Sequence, residues 1–241
     1  MNKICRHKNM QTCKTDNRFD ECIDCSVLRG NREDPHFYVK EYYMDESLQI
    51  FKDGIIRRGW YWNIHSSIWD KMNIDITKFN RVLEVGCGVG RLLWSFHRNY
   101  NKDCVGVESS HWGTKWVERT LGFNDKFMIH NANFENIDKR ILGKFDFILS
   151  CHVLEHFEDA MTGIEDMYDL LNDDGYIYLV VPDKEHQKRL HIHNWVFSPE
   201  SIEKWLTQAG FKDIKVFLTE PHNGLILDRT RGYYLCACGR K

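Results

Sequence analysis

Short apolar runs alternate with helix-length amphipathic stretches through the middle and end of the chain. "RVLEV" (81–85), "CVGV" (104–107), "KFMI" (126–129), "FDFILS" (145–150) and "YIYLVV" (176–181) have the length and β-branched or aromatic content of strands. Between them, "GRLLWSFHRN", "HWGTKWVERTL" and "DAMTGIEDMYDLL" place apolar residues at helical spacing. The third does so at Met161, Ile164, Met167 or Tyr168, and Leu171, and runs into "NDDG", where Gly175 is expected to take a positive φ. Strand, helix and strand in repetition predict a parallel sheet flanked by helices, an α/β doubly wound fold. The rhythm changes near the end. "SPESIEKWLTQAGF" predicts a helix capped by Ser198, with Pro199 in its first turn, an apolar face of Ile202, Trp205, Leu206 and Ala209, and Gly210 as its stop. "DIKVFL" (213–218) and "GYYLCAC" (232–238) then follow with no helix between them and are expected to pair antiparallel.

Upstream the pattern is weaker. Leu48, Phe51 and Ile55, then Ile64, Ile68 and Met72, predict two helices broken at Gly54 and Gly59. The first forty residues are polar, carry many cysteines and end in the turn-like "NREDPH". The organisation expected is therefore a Cys-rich element over 1–40, a helical cap or linker over 41–75 and the α/β domain over 76–241.

Composition narrows the function classes only a little. With 42% hydrophobic residues, 28% charged and a formal charge of −2 over 241 residues, the chain has the balance of an ordinary globular protein. It has no global field of the kind that recruits nucleic acid or an anionic membrane. No segment near the start has the apolar core of a signal peptide and none approaches the length of a membrane span, so a soluble, cytoplasmic protein is expected. In that compartment nine cysteines are read as thiols or metal ligands.

The chemistry starts at "LEVGCGVGRLL". Gly86, Gly88 and Gly90 stand where the first strand turns into the first helix, the place where a doubly wound sheet brings backbone close to a ligand. A dinucleotide fingerprint needs a third glycine at 91, and that residue is Arg91.

Together with "VGVESS", "FDFILSCHVLEHFED", "LLNDDGYIYLVVPD" and the terminal helix with two strands, this stretch resembles the class I S-adenosylmethionine-dependent methyltransferases of the small-molecule type, over about residues 76–241. The resemblance implies a Rossmann-like, seven-stranded sheet with an antiparallel last strand. It implies cofactor contacts at Glu84, Gly86, Gly88, Gly90, Glu108, Ser109, Asn131 and Ser150. Glu108 would accept the ribose hydroxyls, and Asn131, with Asn133 as rival, would meet the adenine. Arg91 moves the expectation away from a nicotinamide cofactor to S-adenosylmethionine.

Methyl transfer needs a positioned acceptor and a destination for its proton. His152 and His156, beside Glu155 in "CHVLEHFED", are the candidate bases, because imidazole titrates near neutrality. No Pro follows the fourth strand, which argues against the motif used on adenine or glutamine amines. His193 and Trp195, in the segment before the last helix, and Trp62, in the cap, are candidate substrate contacts. The pair His191 and His193 lacks further evident metal ligands in sequence.

In the N-terminal arm, Cys5 and His7 precede Cys22 and Cys25 by 14 residues, a spacing that suits a structural zinc ion, with Cys13 as a replacement ligand; a reduced, partly disordered arm is the alternative. The acceptor expected is the oxygen or nitrogen of a small molecule, such as a sugar or glycan-linked metabolite. An RNA or protein acceptor guided by the basic arm is an alternative not favoured by net charge, and a cofactor-binding module without turnover is another. The sequence leaves oligomeric state open.

Overall fold

The computed structural model describes residues 10–12, 19–22, 28–30, 55–184, 193–219 and 234–241. Its main sheet has seven strands: β4 (Arg81–Val85), β5 (Asp103–Glu108), β6 (Phe127–Asn131), β7 (Phe145–Cys151), β8 (Leu171–Pro182), β10 (Lys212–Thr219) and β11 (Tyr234–Arg240). They lie in the order β10-β11-β8-β7-β4-β5-β6. β4 pairs parallel with β5 and β7, β5 pairs parallel with β6, and β10 pairs antiparallel with β11. This is the α/β, Rossmann-like mixed sheet that the alternating pattern predicts, with its antiparallel ending. A second sheet joins β1 (Met10–Thr12), β2 (Phe19–Cys22), β3 (Leu28–Gly30) and β9 (Trp195–Val196), all antiparallel. β3 and β9 pair across more than 160 residues of chain, a contact that no local pattern signals. No helix among the described residues is long and apolar enough to cross a membrane.

The chain divides into two compact units. One comprises His36–Ser150 and Leu170–Tyr176. It holds β4 to β6, most of β7, and the helices α1 (Ile55–Lys71), α2 (Arg91–Tyr100) and α3 (His111–Leu121). α1 runs unbroken through Gly59, against the break expected there. Glycine inside a helix costs about 1 kcal/mol, less than the aromatic packing that the helix gains. Trp62 meets Trp69, Phe96 and Tyr100 at ring separations of 5.3, 4.8 and 5.6 Å, and Trp69 also meets Phe147 at 5.7 Å.

The other unit comprises Met1–Pro35, Cys151–Asp169 and Ile177–Lys241. It carries most of α4 (Ala160–Leu170) and all of α5 (Pro199–Ala209). α5 follows its sequence signals closely. Ser198 and Ser201 form a capping box, Gly210 stops the helix in the left-handed region at φ 103°, and Trp205 is buried against Trp195 and Phe197. The "NDDG" turn differs from expectation. Asp174 takes the positive φ, 63°, and Gly175 does not. Gly175 serves close packing, since a Cβ there would stand 2.9 Å from the Asn172 carbonyl oxygen and 3.2 Å from that of Asp146.

Candidate functional site

The glycine loop is built by β4 feeding α2. Gly86, Gly88 and Gly90 all take left-handed backbone, at φ 68°, 55° and 70°. L-residues with a Cβ lose roughly 1–2 kcal/mol in that region, so three such turns in five residues require glycine. The loop is tied to the neighbouring strand, with the Gly86 N–H donating to the Val107 carbonyl at 2.8 Å, and the Gly90 N–H donating to that of Cys87 at 2.8 Å.

Glu108 ends β5 and is 4% exposed. Its carboxylate accepts from the Gly88 N–H and the Ser110 N–H, both at 2.7 Å. The carboxylate thus locks the loop to the end of β5. Ser109, beside it, is exposed, and Asn131 at the end of β6 donates from Nδ2 to the carbonyls of Glu108 and Ser109 at 3.0 and 3.2 Å. Its Oδ1 stands 3.0 Å from His111 Nδ1. Asn131 therefore fastens the strand ends that frame Glu108, and its amide is already engaged. Asn133 turns its own side chain back to the Glu135 N–H at 2.9 Å.

Two buried oxygens here lack protein partners. Glu84 Oε2 and Ser150 Oγ, on residues 5% and 0% exposed, accept or donate no hydrogen bond. Such atoms cost roughly 1–3 kcal/mol each unless something else meets them. Burial pushes the Glu84 carboxyl up to about 8, opposed by the Leu93 backbone N–H and reinforced by the charge of Glu108. A cationic group of a ligand would meet that oxygen and bring the carboxyl back to its ionised form.

The His-bearing segment "CHVLEHFED" belongs to the other compact unit and has its own geometry. His152 has φ 57°, with its N–H donating to the Val180 carbonyl at 2.8 Å and its ring edge-on to Tyr234 at 4.7 Å. A non-glycine residue held there marks a position where the surroundings override local preference, as functional sites often do. Glu155, in a 3-10 turn at 154–156, is 1% exposed. Its Oε1 stands 3.7 Å from His152 Nδ1 and 3.9 Å from His156 Nε2. Burial opposes its ionisation, but the His152 hydrogen bond and the charges of His156, His193 and His152 outweigh it and hold the carboxyl down at about 2. His193 lies beside His156, ring centroids 4.9 Å apart.

Not every expected contact stands at an accessible surface. Trp62 is 8% exposed within the α1 aromatic cluster, and Trp195 is 3% exposed, with Nε1 donating to the Phe157 carbonyl at 2.8 Å. Trp62 packs on Trp69, Phe96 and Tyr100, and Trp195 packs on Trp205. His191 lies outside the described residues, as do Cys5, His7, Cys13 and Cys25. Of the expected zinc ligands only Cys22 is placed, as the last residue of β2 opposite Met10. Sequence reasoning missed Gly106, whose missing Cβ leaves room for Cys87 Sγ, Leu93 and Ile129. The small residue inside "CVGV" was the only available signal.

Comparison with known proteins agrees with this architecture. A family model described as a methyltransferase domain matches residues 68–216. A tRNA U34 carboxymethyltransferase of Psychromonas ingrahamii is 26% identical over 164 residues, which is 61% of this chain and 49% of that protein. The chain thus spans about half the length of the first curated relatives it matches. Among solved structures, the magnesium protoporphyrin IX methyltransferase of Synechocystis PCC 6803 with bound SAM superposes with a TM-score of 0.59. The two are 18% identical, over 88% of this chain and 100% of that one. The plantazolicin methyltransferase in complex with SAH gives a TM-score of 0.57 and 16% identity, over 83% of this chain and 93% of that one. At such identity these two describe the fold.

Proposed function

The chain belongs to the methyltransferase-domain family, and on that footing we propose that it is an S-adenosylmethionine-dependent methyltransferase acting on an oxygen or nitrogen acceptor. The observation that carries this reading is the buried, unpartnered carboxylate oxygen of Glu84 on the strand that feeds a loop of three left-handed glycines. The residues present fit the cofactor. Glu84 offers an anionic partner for an amino group, Glu108 places a carboxylate at the end of β5 where ribose hydroxyls would lie, and Ser150 offers an unspent hydroxyl. Gly86 and Gly88 let the backbone come close, and Gly90 begins α2. Ser109 and Asn131 complete the set at the ends of β5 and β6, Asn131 through its carbonyl-locking amide. When bound, the cofactor supplies a methyl group on a sulfonium centre.

Proton removal from the acceptor falls to His152 or His156. Glu155 Oε1 faces both imidazoles, 3.7 Å from His152 Nδ1 and 3.9 Å from His156 Nε2, and supplies a buried carboxylate beside the candidate bases. His193 is the remaining candidate for acceptor contact, being part-exposed beside His156.

For the acceptor, the leading reading is a small molecule bearing a hydroxyl or amine. The overall charge of −2 and the imidazole-rich surroundings of Glu155 support it. A second reading, transfer to RNA, is favoured by the similarity to tRNA U34 carboxymethyltransferases and by Lys3, Arg6, Lys8, Lys14 and Arg18 in the N-terminal sequence.

Calorimetric titration with S-adenosylmethionine tests the common core of both. A dissociation constant below about 100 μM is expected, and absence of binding at that concentration defeats the proposal. Incubation with labelled cofactor and either a panel of small hydroxy and amino compounds or bulk tRNA then separates the acceptors. The mass added to the product tells a methyl from a carboxymethyl group. His152→Ala should abolish most turnover while leaving the cofactor titration unchanged; full turnover would remove His152 from the mechanism.

A further inference from the structure

Glu155, His156 and His193 bring one carboxylate and two imidazoles together, with their ligand-competent atoms all within 4.8 Å of one another. We infer that these three side chains form a binding site for a divalent transition-metal ion of the zinc class.

Two independent features point the same way. The first is the state of Glu155. It is 1% exposed, its Oε2 has no hydrogen-bond partner, and its Oε1 stands 3.7 Å from His152 Nδ1 and 3.9 Å from His156 Nε2. A buried carboxylate oxygen without a partner is unfavourable unless a further group meets it. A dication uses that orphaned oxygen. The second is the scaffold that brings His193 in from 37 residues downstream. The Asn194 N–H donates to the Glu155 carbonyl at 2.8 Å, and Asn194 Nδ2 donates to the carbonyls of His156 and Phe157 at 2.9 and 3.2 Å. These bonds clamp the backbone beside His193 onto the turn that carries the other two ligands, so the donors are positioned before any ion arrives.

The donor set selects the ion. Magnesium and calcium prefer all-oxygen shells, whereas two imidazoles and a carboxylate suit zinc, cobalt(II) or iron(II). Zinc–ligand bonds of roughly 2.0–2.1 Å put tetrahedral donors about 3.3 Å apart. The observed spread therefore needs a contraction of about 1.5 Å, within reach of side-chain torsions alone. Three protein ligands leave a coordination position open, as in sites that bind a water or a substrate oxygen. His152 Nδ1, 3.7 Å from Glu155 Oε1, stands as an outer partner that orients the carboxylate. The site contains no thiolate, which separates it chemically from the cysteines of the N-terminal sequence. It shares His156 and His193 with the proposed transfer chemistry, so with the ion bound proton removal falls to His152, while its readout, the metal itself, does not depend on turnover.

Cobalt(II) is the probe. The full-length protein, stripped by a chelator, is titrated with Co2+ and followed by visible absorption and elemental analysis. Wild type is expected to take up one equivalent with the ligand-field bands of a nitrogen and oxygen site, any thiolate charge-transfer band belonging to the N-terminal cysteines. A Cys22→Ser/Cys25→Ser variant should keep that equivalent. His193→Ala, a part-exposed position, should lose it or bind at least about tenfold more weakly, with an unchanged thermal melt of the stripped protein. Glu155→Gln should do the same. An unaltered cobalt stoichiometry and spectrum in His193→Ala overturns the site. So does a wild-type spectrum that shows thiolate-bound cobalt alone, or none.

Discussion

Substituting Glu84 by Gln isolates what the buried carboxyl does to the protein without cofactor. The folded state holds that carboxyl at about 8, against a usual 4.5, chiefly because burial penalises its ionised form. A raised carboxyl favours the folded state while protonated. Its contribution is complete below pH 4.5, is lost progressively as the pH rises to about 8, and is constant beyond. The difference between the two values corresponds to roughly 4–5 kcal/mol of stability lost across that window. Gln keeps the shape and cannot ionise. Urea unfolding of wild type and Glu84→Gln at pH values from 5 to 9 should therefore show the variant gaining on wild type by several kcal/mol, with the gain concentrated below pH 8. A stability difference that does not change with pH refutes the reasoning. The same carboxyl should ionise on meeting the cofactor's ammonium group. Calorimetry at pH 7 in two buffers of different ionisation enthalpy should then record release of about 0.9 proton for wild type. It should record none from this residue in Glu84→Gln.

Other positions give sharper single readings. Glu108→Ala removes the acceptor of the Gly88 and Ser110 N–H groups, so the dissociation constant for S-adenosylmethionine should rise about 10- to 100-fold, as expected for losing one charged hydrogen-bonding group; an unchanged titration excludes its role. Gly106→Ala places a Cβ 2.6 Å from Cys87 Sγ and 2.9 Å from Leu93 Cδ1. Overpacking of that kind costs about 1–3 kcal/mol in urea unfolding, and a loss under half a kcal/mol would show that the loop gives way freely. Trp69→Ala empties the centre of the α1 cluster, where the side chain is 1% exposed. A loss of about 3–5 kcal/mol is expected by the same measurement, and a small loss would mean that α1 contributes little to the unit's core.

Much of the architecture was legible because it rests on local periodicity. β4, β5, β7 and α5 follow apolar spacing and caps that lie within a few residues of one another. The failures share one cause, the override of a local preference by distant packing. Gly59 lies within a continuous helix because Trp62 and Trp69 find partners in α2 and β7. Gly175 looked like the left-handed stop of a helix, yet Asp174 takes that backbone because Gly175 is pressed against Asn172 and Asp146. Trp62 and Trp195 looked available to a substrate, and their burial depends on residues elsewhere in the chain.

The sequence by itself determined the order of strands and helices, the glycine loop and the acidic residues at the ends of its strands. Each follows from backbone sterics or from side-chain spacing over short distances. Only the tertiary structure decided that Glu84 and Ser150 keep unpartnered oxygens, that Glu108 is already bound to the loop it serves, and that His193 joins Glu155 and His156. Burial and charge pairing are properties of the neighbours that folding assembles, and those neighbours here come from segments tens of residues apart.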